Sequence, residues 1–143
     1  MKKLQKGFTL IELVTVMILV GVMSIALMTR MGSVNIAAVQ AGRDDVIAAL
    51  FFAQQAAMMR SNIQVVVSSS AISVTENGAP VQTPIKYPLA MPSGISLSSS
   101  QAAFVYDKLG RTTAGTISLT GSGNTQGTSA QVALDASGYA YAN

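Results

Sequence analysis

Few side chains in this sequence can do chemistry: six carboxylates, nine lysines and arginines, and no histidine or cysteine. The commonest general base, metal ligand and thiol nucleophile are therefore missing. Glu12 stands out by position, as the one charge in an oily run from Phe8 to Met28. A carboxylate there costs up to about 2.5–3.5 kcal/mol at mid-bilayer and less near an interface. It can snorkel to headgroups, with Thr9 and Thr15 beside it, or it can pair with a cation. Asp107 and Asp135 each precede a glycine by three residues, Gly110 and Gly138, which is turn chemistry: aspartate caps backbone N–H groups and glycine takes the left-handed position. Metal binding is the minor alternative, since Asp107, Asp135 and Glu76 are isolated and nothing matches a calcium loop. A serine activated by Lys86 or Lys108 is the weakest reading, both lysines looking like surface charge, and no catalytic site, cofactor or metal is expected.

The elements that must position these groups begin with the oily run. At about 1.5 Å per residue it makes a helix of roughly 32 Å, close to the ~30 Å hydrocarbon core of a bilayer. Lys2, Lys3 and Lys6 precede it and carry the whole net charge of +3. They read as a cytoplasmic anchor under the positive-inside rule, and no basic stripe remains to follow a phosphate backbone. An ordinary signal peptide is the alternative, with a weak cleavage site at Val39-Gln40-Ala41. That site lies well past the end of a run already too long for such a signal. Without cysteine, disulfides and an anchor through a lipidated cysteine are excluded.

Lys6-Gly7-Phe8-Thr9-Leu10-Ile11-Glu12-Leu13 resembles the leader junction of type IV pilins and type II secretion pseudopilins. The resemblance implies that a prepilin peptidase cuts between Gly7 and Phe8 and methylates the Phe8 amine. It also implies an inner-membrane, single-pass protein with a periplasmic domain, later extracted through an assembly platform into a fibre of similar helices. Glu12 lies one helical turn beyond Phe8, so its carboxylate can meet the amine of a neighbouring subunit and set axial register, each charge cancelling the cost of burying the other.

The helical signal continues. Ile36, Val39, Val46, Leu50, Ala53 and Ala57 recur on one face, and Phe51, Phe52, Met58 and Met59 read as further positions packed under a sheet. Gly21, Gly32 and Gly42 interrupt the helix, for close packing or for local unwinding. After Arg60 the period changes to two. Strands are predicted at 63–67, 71–75, 95–97, 103–106, 116–120, 131–134 and 139–141, with a turn at Glu76-Asn77-Gly78 and a proline-punctuated edge region over 80–94. The serine runs 68–70 and 98–100 read as solvated loops or edges. The domains expected are a leader over 1–7, a transmembrane and filament-core helix over 8–28, an amphipathic helix over 29–60 and a β-rich domain over 61–143. The fold class is α+β: a long N-terminal helix on a small antiparallel β domain, the lollipop that the resemblance implies.

The stretch from Phe104 to Arg111, followed by Gly115-Thr116-Ile117-Ser118-Leu119, is similar to the C-terminal domain of H-type minor pseudopilins and related minor pilins, and its arrangement also resembles the minor pilins of mannose-sensitive haemagglutinin pili. The resemblance implies a non-catalytic subunit that initiates, joins or caps a pilus or pseudopilus. The alternative is a tip adhesin or DNA-binding module. Relatives that bind DNA use arginines after the last turn glycine, whereas Gly138 is followed by Tyr139, Ala140 and Tyr141.

Overall fold

The computed structural model describes residues 9–82, 84–122 and 127–143, with the side chains of 26–35 outside the description. The leader over 1–7, Gly7 and Phe8 therefore lie outside the described residues. Among the described residues one helix, α1, runs Leu10–Met59 without a proline, and nine strands follow. By its internal contacts the chain divides into two units, Met1–Val34 and Asn35–Asn143.

In the first unit, α1 starts at Leu10 and presents apolar side chains on every side. Leu10, Ile11, Met17, Met23 and Ile25 are each about 70–80% exposed. Among the described residues of its unit, nothing covers this all-round apolar surface.

In the second unit, Val39, Val46, Leu50, Ala53 and Ala57 are buried on one face of α1, joined by Ala49 and Ala56. Three expected positions differ. Ile36 is half exposed, Met58 is 52% exposed and Met59 is 77% exposed. The helical period explains the methionines: Met58 shares a stripe with Phe51 and Gln54, and Met59 with Gln55, each rotated off the 46–50–53–57 face. Phe51 and Phe52 are half-buried at the margins of that face.

The strands form two antiparallel sheets. β1 (Ile63–Val67) pairs with β2 (Ala71–Glu76) and with β6 (Ala103–Val105), and β2 also pairs with the short β3 (Ala79–Pro80) and β4 (Leu89–Ala90). The second sheet runs in the order β5 (Ile95–Ser99), β7 (Gly115–Gly121), β8 (Ser129–Leu134), β9 (Ala140–Ala142). Among the described residues the proline-punctuated stretch supplies two-residue edge strands, because proline offers no N–H to a ladder. The β2–β3 hairpin turns at Asn77 and Gly78, both left-handed (φ 53° and 82°), as its two-residue loop requires.

Both sheets and α1 share one core, with Leu50, Phe104, Ile63, Ile72, Ile117 and Leu119 fully buried. The helix comes close to the second sheet at Gly42, where an added Cβ would stand 3.2 Å from Leu119 Cδ2. The first serine run is a connector, the carbonyls of Ser69 and Ser70 accepting from the N–H groups of Leu97 (2.8 Å) and Met91 (2.9 Å), whereas Ser98 and Ser99 belong to β5, at the edge of the second sheet. Leu50→Ala should lower the unfolding free energy of the domain by about 2–5 kcal/mol, the range for a buried leucine whose cavity cannot collapse. Urea titration of the detergent-solubilised chain, followed by circular dichroism, reads that loss.

Candidate functional site

The candidate site begins at the start of α1. Thr9 caps the helix: its carbonyl accepts from the N–H groups of Glu12 (3.1 Å) and Leu13 (3.2 Å), and its Oγ1 lies 3.4 Å from the Glu12 nitrogen. The Thr9 hydroxyl also donates to Glu12 Oε2 across 3.5 Å. Thr-x-x-Glu is the spacing of a capping box, in which threonine serves an orphan N–H and glutamate turns back toward the cap. Thr9 is thus a functional residue that reading Glu12 only as a register anion passes over, although the signal stands in the sequence. The carboxylate also lies in the first turn, where the helix dipole favours negative charge.

Beyond the cap the helix hides its polarity. Thr15 Oγ1 donates to the Ile11 carbonyl and Ser24 Oγ to the Val20 carbonyl, each at 2.7 Å. These bonds four residues back satisfy both hydroxyls internally, which suits an apolar environment. Glu12 is solvent-exposed and makes no ion pair among the described residues. Gly21 has nothing within 4 Å of where a Cβ would stand. Among the described residues, no helix is long and apolar enough to cross a membrane. The continuous described surface runs from Leu10 to Ile25, shorter than the ~20 residues of a span; the rest of the expected 8–28 segment lies outside the described side chains.

The two Asp-x-x-Gly segments lie in the second unit, against each other. Asp107 Oδ1 accepts from the N–H groups of Leu109 and Arg111, both at 2.8 Å, and its Oδ2 meets Arg111 Nε at 2.9 Å. The Arg111 N–H above all, with the guanidinium and the Leu109 N–H, holds the Asp107 carboxyl below the usual carboxylate range. Asp135 makes a looser turn, its Oδ1 3.4 Å from the Ser137 nitrogen. Gly110 and Gly138 are left-handed, at φ 73° and 84°. The Thr112 N–H donates to the Ala136 carbonyl at 3.1 Å, and a Cβ on Gly138 would overlap the Gly110 carbonyl oxygen. Gln54 of α1 donates to the Ser137 carbonyl at 3.1 Å, and the Met58 side chain rests on Gly110. Phe51 meets Tyr139 edge-on at 5.8 Å, and Tyr139 lies near-parallel to Tyr141 at 5.9 Å.

Among the described residues, no group of three His, Cys, Asp or Glu side chains could hold a metal ion. From Asn35 onward five basic residues face five acidic ones, Asp44, Asp45, Glu76, Asp107 and Asp135, so this unit is formally neutral. The Tyr106 ring is buried and burial pushes its phenol pKa well above the ordinary 10.0, so it stays neutral.

Residues 2–28 match the family described as the prokaryotic N-terminal methylation motif. No curated protein matches the sequence significantly. Among solved structures, the chain is similar to the type IV minor pilin FimU of Pseudomonas aeruginosa, at 14% identity and a TM-score of 0.59, covering 73% of this chain and 87% of that one. A second crystal form of FimU gives 16% identity, a TM-score of 0.53 and coverage of 73% and 91%. The minor pseudopilin EpsH from the type 2 secretion system of Vibrio cholerae is similar at 12% identity and a TM-score of 0.60, over 73% of this chain and 95% of that one. At these identities the likeness is one of fold. Gly138→Ala should destabilise the domain by about 1–3 kcal/mol, since it adds backbone strain and collides with the Gly110 carbonyl. A lowered thermal midpoint of the detergent-solubilised chain is the expected result.

Proposed function

We propose that this chain, pilin-like in fold and bearing the N-terminal methylation motif, is a minor pilin or pseudopilin: a structural, non-catalytic subunit. It is held in the inner membrane by its N-terminal helix, cut after Gly7 by a prepilin peptidase and methylated on Phe8. An assembly platform then moves it into a type IV pilus or a type II secretion pseudopilus, where it acts in initiation or at the tip. The observation that carries this reading is the surface of α1 from Leu10 to Ile25, apolar on all sides, internally satisfied in its hydroxyls and broken by one carboxylate. Water is a poor environment for it; lipid, or neighbouring helices of the same kind, cover it without leaving a polar group unpaired.

Glu12 has two uses in this scheme. In the single chain its contact with the Thr9 hydroxyl is long, and the carboxylate stays accessible. In a staggered bundle the same carboxylate pairs with the freed amine of a neighbouring Phe8. A wrong register leaves either charge alone in an apolar core, at a cost of several kcal/mol, so the pair selects the axial offset. The neutral domain from Asn35 onward gives no electrostatic attraction to DNA, which favours the structural role over a DNA-capturing one.

Mass spectrometry of the protein purified from cells with an active prepilin peptidase should find a mature N-terminus at N-methyl-Phe8. Retention of Met1, or a start at Gly42, would overturn the processing scheme. Glu12→Ala should leave membrane insertion and processing intact while cutting incorporation into sheared fibres at least tenfold; normal incorporation would remove the register pair.

A further inference from the structure

We propose that Asn77 is a site of spontaneous modification, closing on the Gly78 nitrogen to a cyclic imide and opening with water to aspartate or isoaspartate. The step balances within the chain and solvent. The Gly78 amide nitrogen bonds to the Asn77 side-chain carbonyl carbon and loses its proton, and ammonia leaves from the carboxamide. One water then splits either carbonyl of the ring.

Several features of the β2–β3 turn favour the reaction. The nucleophile is free: Gly78 is exposed, and among the described residues its N–H has no hydrogen-bond partner. The electrophile is polarised, because Asn62 Nδ2 donates to Asn77 Oδ1 at 2.8 Å and draws electron density from the carbonyl carbon under attack. Both Asn77 and Gly78 are exposed, on an open hollow of about 420 Å³ lined by Asn62, Gln64 and Val105 as well. Water therefore reaches the ring once it forms.

The site sits where the end of α1 is tied to the first sheet. The Asn77 N–H donates to the Asn62 carbonyl at 3.1 Å, and Arg60 pairs with Glu76 at 3.0 Å. Isoaspartate would lengthen the main chain by one methylene inside a two-residue turn. It would also add a carboxylate beside Glu76 that competes for Arg60. The product is thus a local loosening of the helix–hairpin clasp that accumulates with the age of the subunit.

The test is peptide mapping by mass spectrometry of the full chain in detergent, incubated at mildly alkaline pH with and without urea. Labelling with an isoaspartate methyltransferase reports the rearranged product. Asn77 should convert several-fold faster than Asn62, which precedes isoleucine, and at least as fast in the folded chain as in urea. Asn62→Ala should slow the folded-state conversion several-fold and leave the rate in urea unchanged. An Asn77 that converts in urea but stays intact in the folded chain would overturn the proposal, with no variant required.

Discussion

The close approach of α1 to the sheets is the constraint on which the rest of the second unit depends. The helix brings Val39, Gly42, Val46, Ala49, Leu50, Ala53, Ala56 and Ala57 to one face, and all but Val39, Val46 and Leu50 are glycine or alanine. Small side chains let the helix backbone settle near β5 and β7, so that Leu119 reaches to 3.2 Å of the Gly42 Cβ position. Two sheets rather than one can then close on the same stripe, Phe104 and Ile63 from the first and Ile117 and Leu119 from the second. A bulky residue at 42 would hold them apart, and cores tolerate such overpacking poorly.

The Asp-x-x-Gly turns are a second use of small residues. Asp107 fixes its own turn through three bonds, yet that turn is placed by Gln54, Met58 and the backbone around Gly138. Glycine is required at 138 for two separate reasons, its positive φ and its contact with the Gly110 carbonyl. The chain end carrying β9 is thereby tied to the α1 segment around Phe51 and Gln54, through a hydrogen bond and an aromatic edge contact.

The start of α1 follows different rules. Among the described residues each polar side chain there but one is satisfied locally: Thr9 by the cap, Thr15 and Ser24 by carbonyls four residues back. Glu12 is the exception, because a carboxylate offers more acceptor sites than one long contact to Thr9 can fill. An incompletely satisfied anion marks one end of an otherwise apolar surface.

Local pattern was enough for much of this. The helix over Leu10–Met59, the strands from Ile63 onward, the Asn77-Gly78 turn and the edge character of 80–94 all follow from periodicity, proline and turn chemistry, which act within a few residues. The oily run with Glu12 is equally local, as is the Thr9-x-x-Glu12 cap. The exposure of Met58 and Met59, the division of the strands into two sheets, and the stacking of Gly138 on Gly110 are of another kind. They depend on where a helix surface meets sheets that are distant in sequence. A one-residue offset around a helix turns a side chain by roughly 100°, and hydrophobic character alone does not say which apolar residue lies on the buried side of that offset. Packing decided it: the sheets close on the stripe through Val46, Leu50 and Ala53, while Ala41 and Ala48 of the same helix stay exposed.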